Sequence, residues 1–209
     1  MAGCCEGSCD ALVALRAKQA HVLKIVLAIN AAMFVVEIIA GLASQSSSLL
    51  ADSLDMLGDA VVYATTLYVL GRGVRWQARM AVVKGAIMIL FGLGVVTETT
   101  LKAIGSRAPD AGGMGVVGGL ALVANLVCLY LLSRHREDDI NMRSVWVCSR
   151  NDIIANVGVL IAAAGVHLTG TRWPDVVVGA AIALVFLSTA TRVMRDAFAA
   201  LRLSPARQG

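Results

Sequence analysis

Two pairs of side chains carry the chemistry in this sequence. Asp55 and Asp59 stand four residues apart in LLADSLDMLGDA, and Cys148 and Asp152 stand four apart in VWVCSRNDIIANVGVL. Residues at that spacing share one face of a helix. Carboxylate oxygen and thiolate sulfur are both ligands for divalent cations such as zinc. Both pairs lie within long apolar runs, where an ionisable group is costly and marks function. Without a cation, Asp55 and Asp59 would hold two negative charges about 5–6 Å apart. At an effective dielectric near 20 they would repel by about 3 kcal/mol. The empty pair is therefore expected to retain a proton that a metal displaces, and metal affinity should rise with pH.

The elements that position these pairs follow from composition. The chain has 209 residues, of which 58% are hydrophobic and only 15% charged, with a mean hydropathy of +0.77. A soluble domain carries about 25% charged residues. The composition excludes a soluble globular enzyme, a disordered chain and a nucleic-acid binder. It points to an integral, multi-pass membrane protein. About 20 apolar residues cross a bilayer as a helix, and in lipid only a helix or a closed barrel satisfies its own backbone. The apolar runs predict an all-α fold, a six-helix transmembrane bundle, with helices over 24–43, 48–70, 81–104, 115–133, 144–168 and 175–194. In domain terms, 1–20 reads as a Cys-containing cytosolic tail, 21–198 as the six-span transmembrane unit and 199–209 as a short cytosolic tail.

Orientation follows from basic residues, which accumulate in cytoplasmic loops. Alternate loops and both ends carry fifteen of the eighteen Lys and Arg, and the opposite side has only Lys102, Arg107 and Arg172. Both termini are thus expected in the cytoplasm. Asp59 then lies about 16 Å from the outer end of its helix and Asp152 about 12 Å from the inner end of its own. In a hydrocarbon core about 30 Å thick those depths nearly coincide. The two helices are antiparallel and occupy matching places in the two triplets. This is the logic of inverted-repeat transporters with a site near the midplane.

Other polar residues are expected to pack rather than bind. Glu37 and Asn30 share roughly one face of the first helix, Glu98 and Lys102 are spaced to pair, and Asn125, Asn151 and Asn156 suit interhelical hydrogen bonds. His21 and His167 lie toward membrane ends. The loop with His135, Glu137, Asp138 and Asp139 reads as a solvated connection. Five cysteines, two of them in apolar runs, argue against a disulfide framework. Cys4, Cys5 and Cys9 form a thiol cluster suited to a soft metal but short of a fourth ligand. The N-terminal stretch is not a secretory signal, so a bacterial plasma membrane is the expected location. Two rival functions remain open on residue types alone: an intramembrane aspartyl-type enzyme and a passive cation channel. A Cys148–His167 dyad is excluded, because 19 residues of helix separate the two groups by about 28 Å.

The stretch SSSLLADSLDMLGDA resembles the second transmembrane helix of the cation diffusion facilitator family, and CSRNDIIANVGVLIAA resembles its fifth. The resemblance covers 24–203. It implies a transporter rather than an enzyme, one that exports divalent cations from the cytosol in exchange for protons. It also implies a tetrahedral metal site of Asp55, Asp59, Cys148 and Asp152, with Asp52 as an acidic neighbour and not a ligand. Cys148 stands where the family usually has a histidine or aspartate. A softer thiolate favours cadmium, lead or mercury while still accepting zinc. The family's usual C-terminal cytosolic domain is expected to be absent, so a homodimer would form through membrane helices.

Overall fold

The computed structural model describes residues 3–69, 74–105, 108–134 and 140–203. Among these the chain is entirely helical. The elements are α1 (Gly3–Ala43), α2 (Ser47–Val69), α3 (Val74–Ile104), α4 (Ala111–Ser133), α5 (Ile140–Thr169) and α6 (Trp173–Leu203). Several helices outrun the apolar stretches that signalled them. α1 begins at Gly3, α3 at Val74 and α5 at Ile140, and α6 continues to Leu203. The flanks contain no proline and are rich in Ala, Leu, Arg, Lys and Met, which propagate a helix readily. The helix therefore does not stop where the apolar run does.

Turn chemistry sets the joints. Ser46 N–H donates to Gly41 O at 2.9 Å and Gln45 N–H to Leu42 O at 3.3 Å, the paired bonds of a Schellman stop. Gln45 takes the left-handed position with φ 54°, which is unusual for a residue with a side chain. α5 ends on Gly170, at φ 63°, whose N–H reaches Val166 O at 2.8 Å. α4 starts on Asp110, whose carboxylate accepts from Gly112 N–H at 3.0 Å and Gly113 N–H at 3.1 Å, an N-cap. The Asp110 N–H donates to Ser44 O at 3.0 Å, which ties the α1–α2 turn to the start of α4.

Large apolar side chains face outward, and polar groups are buried among the apolar core. Val116, Leu120, Val123 and Val127 form an exposed stripe on α4, and Ile154, Ile161 and Leu168 do the same on α5. Buried positions include Asn30, Glu37, Asp52, Ser53, Asn125, Asn156 and Asp175. Apolar surface this extensive needs a non-aqueous partner. Among the described residues, five stretches are long and apolar enough to cross a membrane: Ala20–Ala43, Ala81–Ile104, Ala111–Ser133, Ser149–Thr169 and Trp173–Ala199. α2 is not among them, because any eighteen-residue stretch of it includes Asp52, Asp55 and Asp59.

α2 is the centre of the packing. Leu50, Ala51 and Leu54 meet Met88 and Val95 of α3 and Ala183, Phe186 and Ala190 of α6. Leu49 meets Met114 of α4 and Val159, Ala162 and Val166 of α5. Met56 packs with Met33 and Ala121, and Tyr63 with Leu23, Val26, Cys128 and Leu132. The helix with three acids in its apolar run is thus wrapped by the others, which keeps its carboxylates from lipid.

Candidate metal centre

Ser48, Asp52, Asp55, Asp59 and Tyr63 follow one another at steps of four, three, four and four residues, so they run down one face of α2. That face is turned toward α5. Across the gap the Asp152 carboxyl lies within electrostatic reach of Asp59, Asp55 and Asp52. The Tyr63 hydroxyl donates to Asp59 Oδ2 at 2.7 Å. Asp55, Asp59 and Asp152 are each half-buried, whereas Asp52 is fully buried.

A chain of amides sets which face of α5 meets α2. Asn156 Nδ2 donates to both oxygens of Asp52, at 3.0 and 2.8 Å. Asn156 Oδ1 in turn accepts from Asn125 Nδ2 of α4 at 3.1 Å. Asn156 stands one turn from Asp152 on α5, so this link orients Asp152 as well. The expected packing role of Asn125 and Asn156 is therefore a cross-link of three helices at the site. Asn151, by contrast, is exposed.

The sequence-predicted ligands are placed as follows. Asp55 and Asp59 share the α2 face, and Asp152 meets Asp59 from α5. Cys148 is on α5, one turn before Asp152, but its side chain lies outside the described residues. So do the side chains of Cys4, Cys5 and Cys9, and the whole of the loop 135–139. Among the described residues, no three His, Cys, Asp or Glu side chains are drawn closely enough together to hold a metal ion. The acids are neighbours across the α2–α5 gap rather than an assembled coordination shell.

Sequence reasoning undervalued two residues. Glu37 of α1 is fully buried, neither of its carboxylate oxygens has a hydrogen-bond partner, and Asp52 and Asp55 are its electrostatic neighbours. An acid inside an apolar span was signal enough, but Glu37 has no second acid four residues away. Cys128 of α4 is buried within electrostatic reach of Asp59 and Asp152, and Asn30 Nδ2 approaches its sulfur at 3.9 Å. A single cysteine in an apolar run carries no signal of that kind. The expected Glu98–Lys102 pair is present at 3.5 Å, away from these acids on α3.

The fold is that of an all-helical, multi-pass membrane protein with an acidic cluster on its most buried helix. Comparison with known proteins gives the family. Residues 23–202 match the family model of the cation efflux transmembrane domain, and the chain belongs to that family. It is 26% identical over 174 residues to the metal cation efflux system protein CzcD of Cupriavidus metallidurans, a match covering 78% of this chain and 55% of that protein. It is 26% identical over 189 residues to the zinc transporter ZitB of Yersinia pseudotuberculosis, covering 84% and 61%. It is 23% identical over 176 residues to the cadmium, cobalt and zinc/H(+)-K(+) antiporter of Bacillus subtilis, covering 78% and 57%. The chain thus spans between 55% and 61% of the length of these relatives.

Proposed function

We propose that the protein is a divalent metal efflux transporter that carries zinc- or cadmium-type cations out of the cytosol in exchange for protons. Asp55, Asp59, Cys148 and Asp152 are the ligands in this reading. The observation that carries it is the Asn156–Asp52 link between α5 and α2, beside which Asp152 lies within electrostatic reach of Asp55 and Asp59. In this reading the empty acids share a proton, which a divalent cation displaces when they become ligands. The relatives named for cation efflux, zinc transport and metal–proton exchange support the substrate class.

In this scheme both termini are cytoplasmic and all six helices span a bacterial plasma membrane. A cation enters between α2 and α5, and three carboxylates and a thiolate replace its water. Rocking of the helices opens the site outward, where protons compete the metal off and return inward. The thiolate widens the range toward softer cations. A homodimer would use lipid-facing helix surfaces.

The test is uptake by proteoliposomes under an imposed pH difference, with zinc, cadmium, cobalt, manganese and iron compared side by side. Saturable zinc or cadmium transport that collapses with the pH difference is expected, and Asp59→Ala should abolish it in a protein that stays folded. Unsaturable flux indifferent to the gradient would mean a passive channel. Full transport by Asp59→Ala would remove the site.

A further inference from the structure

The N-terminus of α2 is held by a residue of another helix. Asp175 sits in the first turn of α6 and is only 1% exposed. Its Oδ1 accepts from the Ser46 hydroxyl at 2.7 Å, the Ser48 N–H at 2.9 Å and the Ser48 hydroxyl at 2.6 Å. Its Oδ2 accepts from the Ser47 N–H at 2.6 Å. A carboxylate offers about four acceptor positions, and here four donors face them. Two of those donors are backbone groups that a helix start leaves without an intrahelical partner. The anion also faces the positive end of the α2 dipole. α2 has no acid in its own first turn. Its local cap is Ser46, whose Oγ accepts from Leu49 N–H at 3.2 Å while its hydroxyl donates to Asp175 Oδ1.

One turn along α6, Gly179 lies flat against the same place. A Cβ there would stand 2.7 Å from the Ser47 carbonyl carbon and 2.8 Å from its oxygen. The helices therefore touch backbone to backbone beside the carboxylate, which leaves α2 little room to slide or turn. Ser48 belongs to the face that carries Asp52, Asp55 and Asp59. Asp55 and Asp59 follow Ser48 by seven and eleven residues, about 10 and 16 Å of helix. Asp175 is too distant to touch a cation there. What it sets is the rotation of the face.

We propose that Asp175 is a positioning residue for metal binding: from α6 it fixes the rotation and depth of α2, and so the direction in which Asp55 and Asp59 present their carboxylates to α5. This rests on the reading of those two acids as cation ligands. Loss of a group that orients metal ligands typically weakens metal affinity by about 10–100-fold.

The experiment is equilibrium dialysis of the purified full chain in detergent against cadmium, with folding followed separately by circular dichroism. Asp175→Asn replaces an acceptor oxygen with a donor that opposes the donors of α2. It should remain helical and bind cadmium about tenfold or more weakly. Asp175→Glu, which keeps the charge, should recover part of the affinity. Ser48→Ala removes one donor and keeps both backbone bonds. It should weaken binding in the same direction by a smaller factor, and it decides the question if Asp175→Asn fails to fold. Unchanged cadmium affinity in folded Asp175→Asn, or in Ser48→Ala where the former is unfolded, overturns the proposal while a weakened Asp59→Asn control leaves the metal site standing. Wild-type protein that binds no cadmium, or Asp59→Asn that binds as wild type, overturns the metal site itself and this proposal with it.

Discussion

Asp175 and the acids around the α2–α5 gap are chemically the same group in opposite circumstances. Asp175 faces four donors and a helix dipole, so its charge is answered within the protein. Asp152 has Asp59, Asp55 and Asp52 as like-charged neighbours, and Glu37 is buried with both oxygens unpartnered. Among the described residues, no Lys or Arg pairs with Glu37, Asp52, Asp55 or Asp152. A fully answered carboxylate has nothing left to offer a cation and serves the fold. Carboxylates short of donors are costly to the fold and available to a ligand. The difference separates the part of α2 that anchors from the part that binds.

That contrast can be broken by substitution. The largest effect is expected at Asp152, where Asp152→Asn should abolish detectable zinc binding while the apo protein keeps its thermal midpoint or gains. Asp152 has only like-charged neighbours among the groups that act on it, so an amide there relieves repulsion. A lowered midpoint would show that Asp152 is as structural as Asp175. Asp175→Ala should do the reverse to stability and cost about 3 kcal/mol in detergent-based unfolding, since four donors lose their acceptor. Gly179→Ala comes next. Its new methyl group would press on Ser47, and overpacking of this kind costs about 1–3 kcal/mol.

Two smaller effects sharpen the picture. Glu37→Gln should change apo stability by no more than about 1 kcal/mol, because a carboxyl buried without a partner neutralises and the amide is a neutral group of the same shape. A clear loss of stability would reveal a partner for Glu37. Tyr63→Phe removes one donor to Asp59 and should change zinc affinity by no more than about tenfold, the worth of roughly 1 kcal/mol. Zinc titration in weak buffer should also release protons, and apparent affinity should climb with pH, since ligands must deprotonate to bind. Proton-silent binding would contradict displacement of a shared proton.

Much of this was visible before any coordinates. Acids in an apolar run stand out because lipid penalises them, and a four-residue spacing puts Asp55 and Asp59 on one face whatever surrounds them. The six helices were visible for the same reason, although their ends were not, since helix hydrogen bonding runs on past the apolar stretch. Glu37 reads as a packing residue in sequence, because no second acid stands four residues from it. Its importance depends on Asp52 and Asp55, which reach it only through the α1–α2 packing.

By itself the sequence determined the class of structure, the helix count and the faces that carry charge, because those depend on local composition and on a period of 3.6 residues. Tertiary structure decided which charges are answered. Asp175 reads in sequence as an ordinary acid in the first turn of its own helix, yet its donors lie 127 to 129 residues earlier in the chain. Asp52 is held by Asn156, 104 residues away. Whether a buried carboxylate anchors or binds depends on the donors that folding brings to it, and no local spacing encodes those.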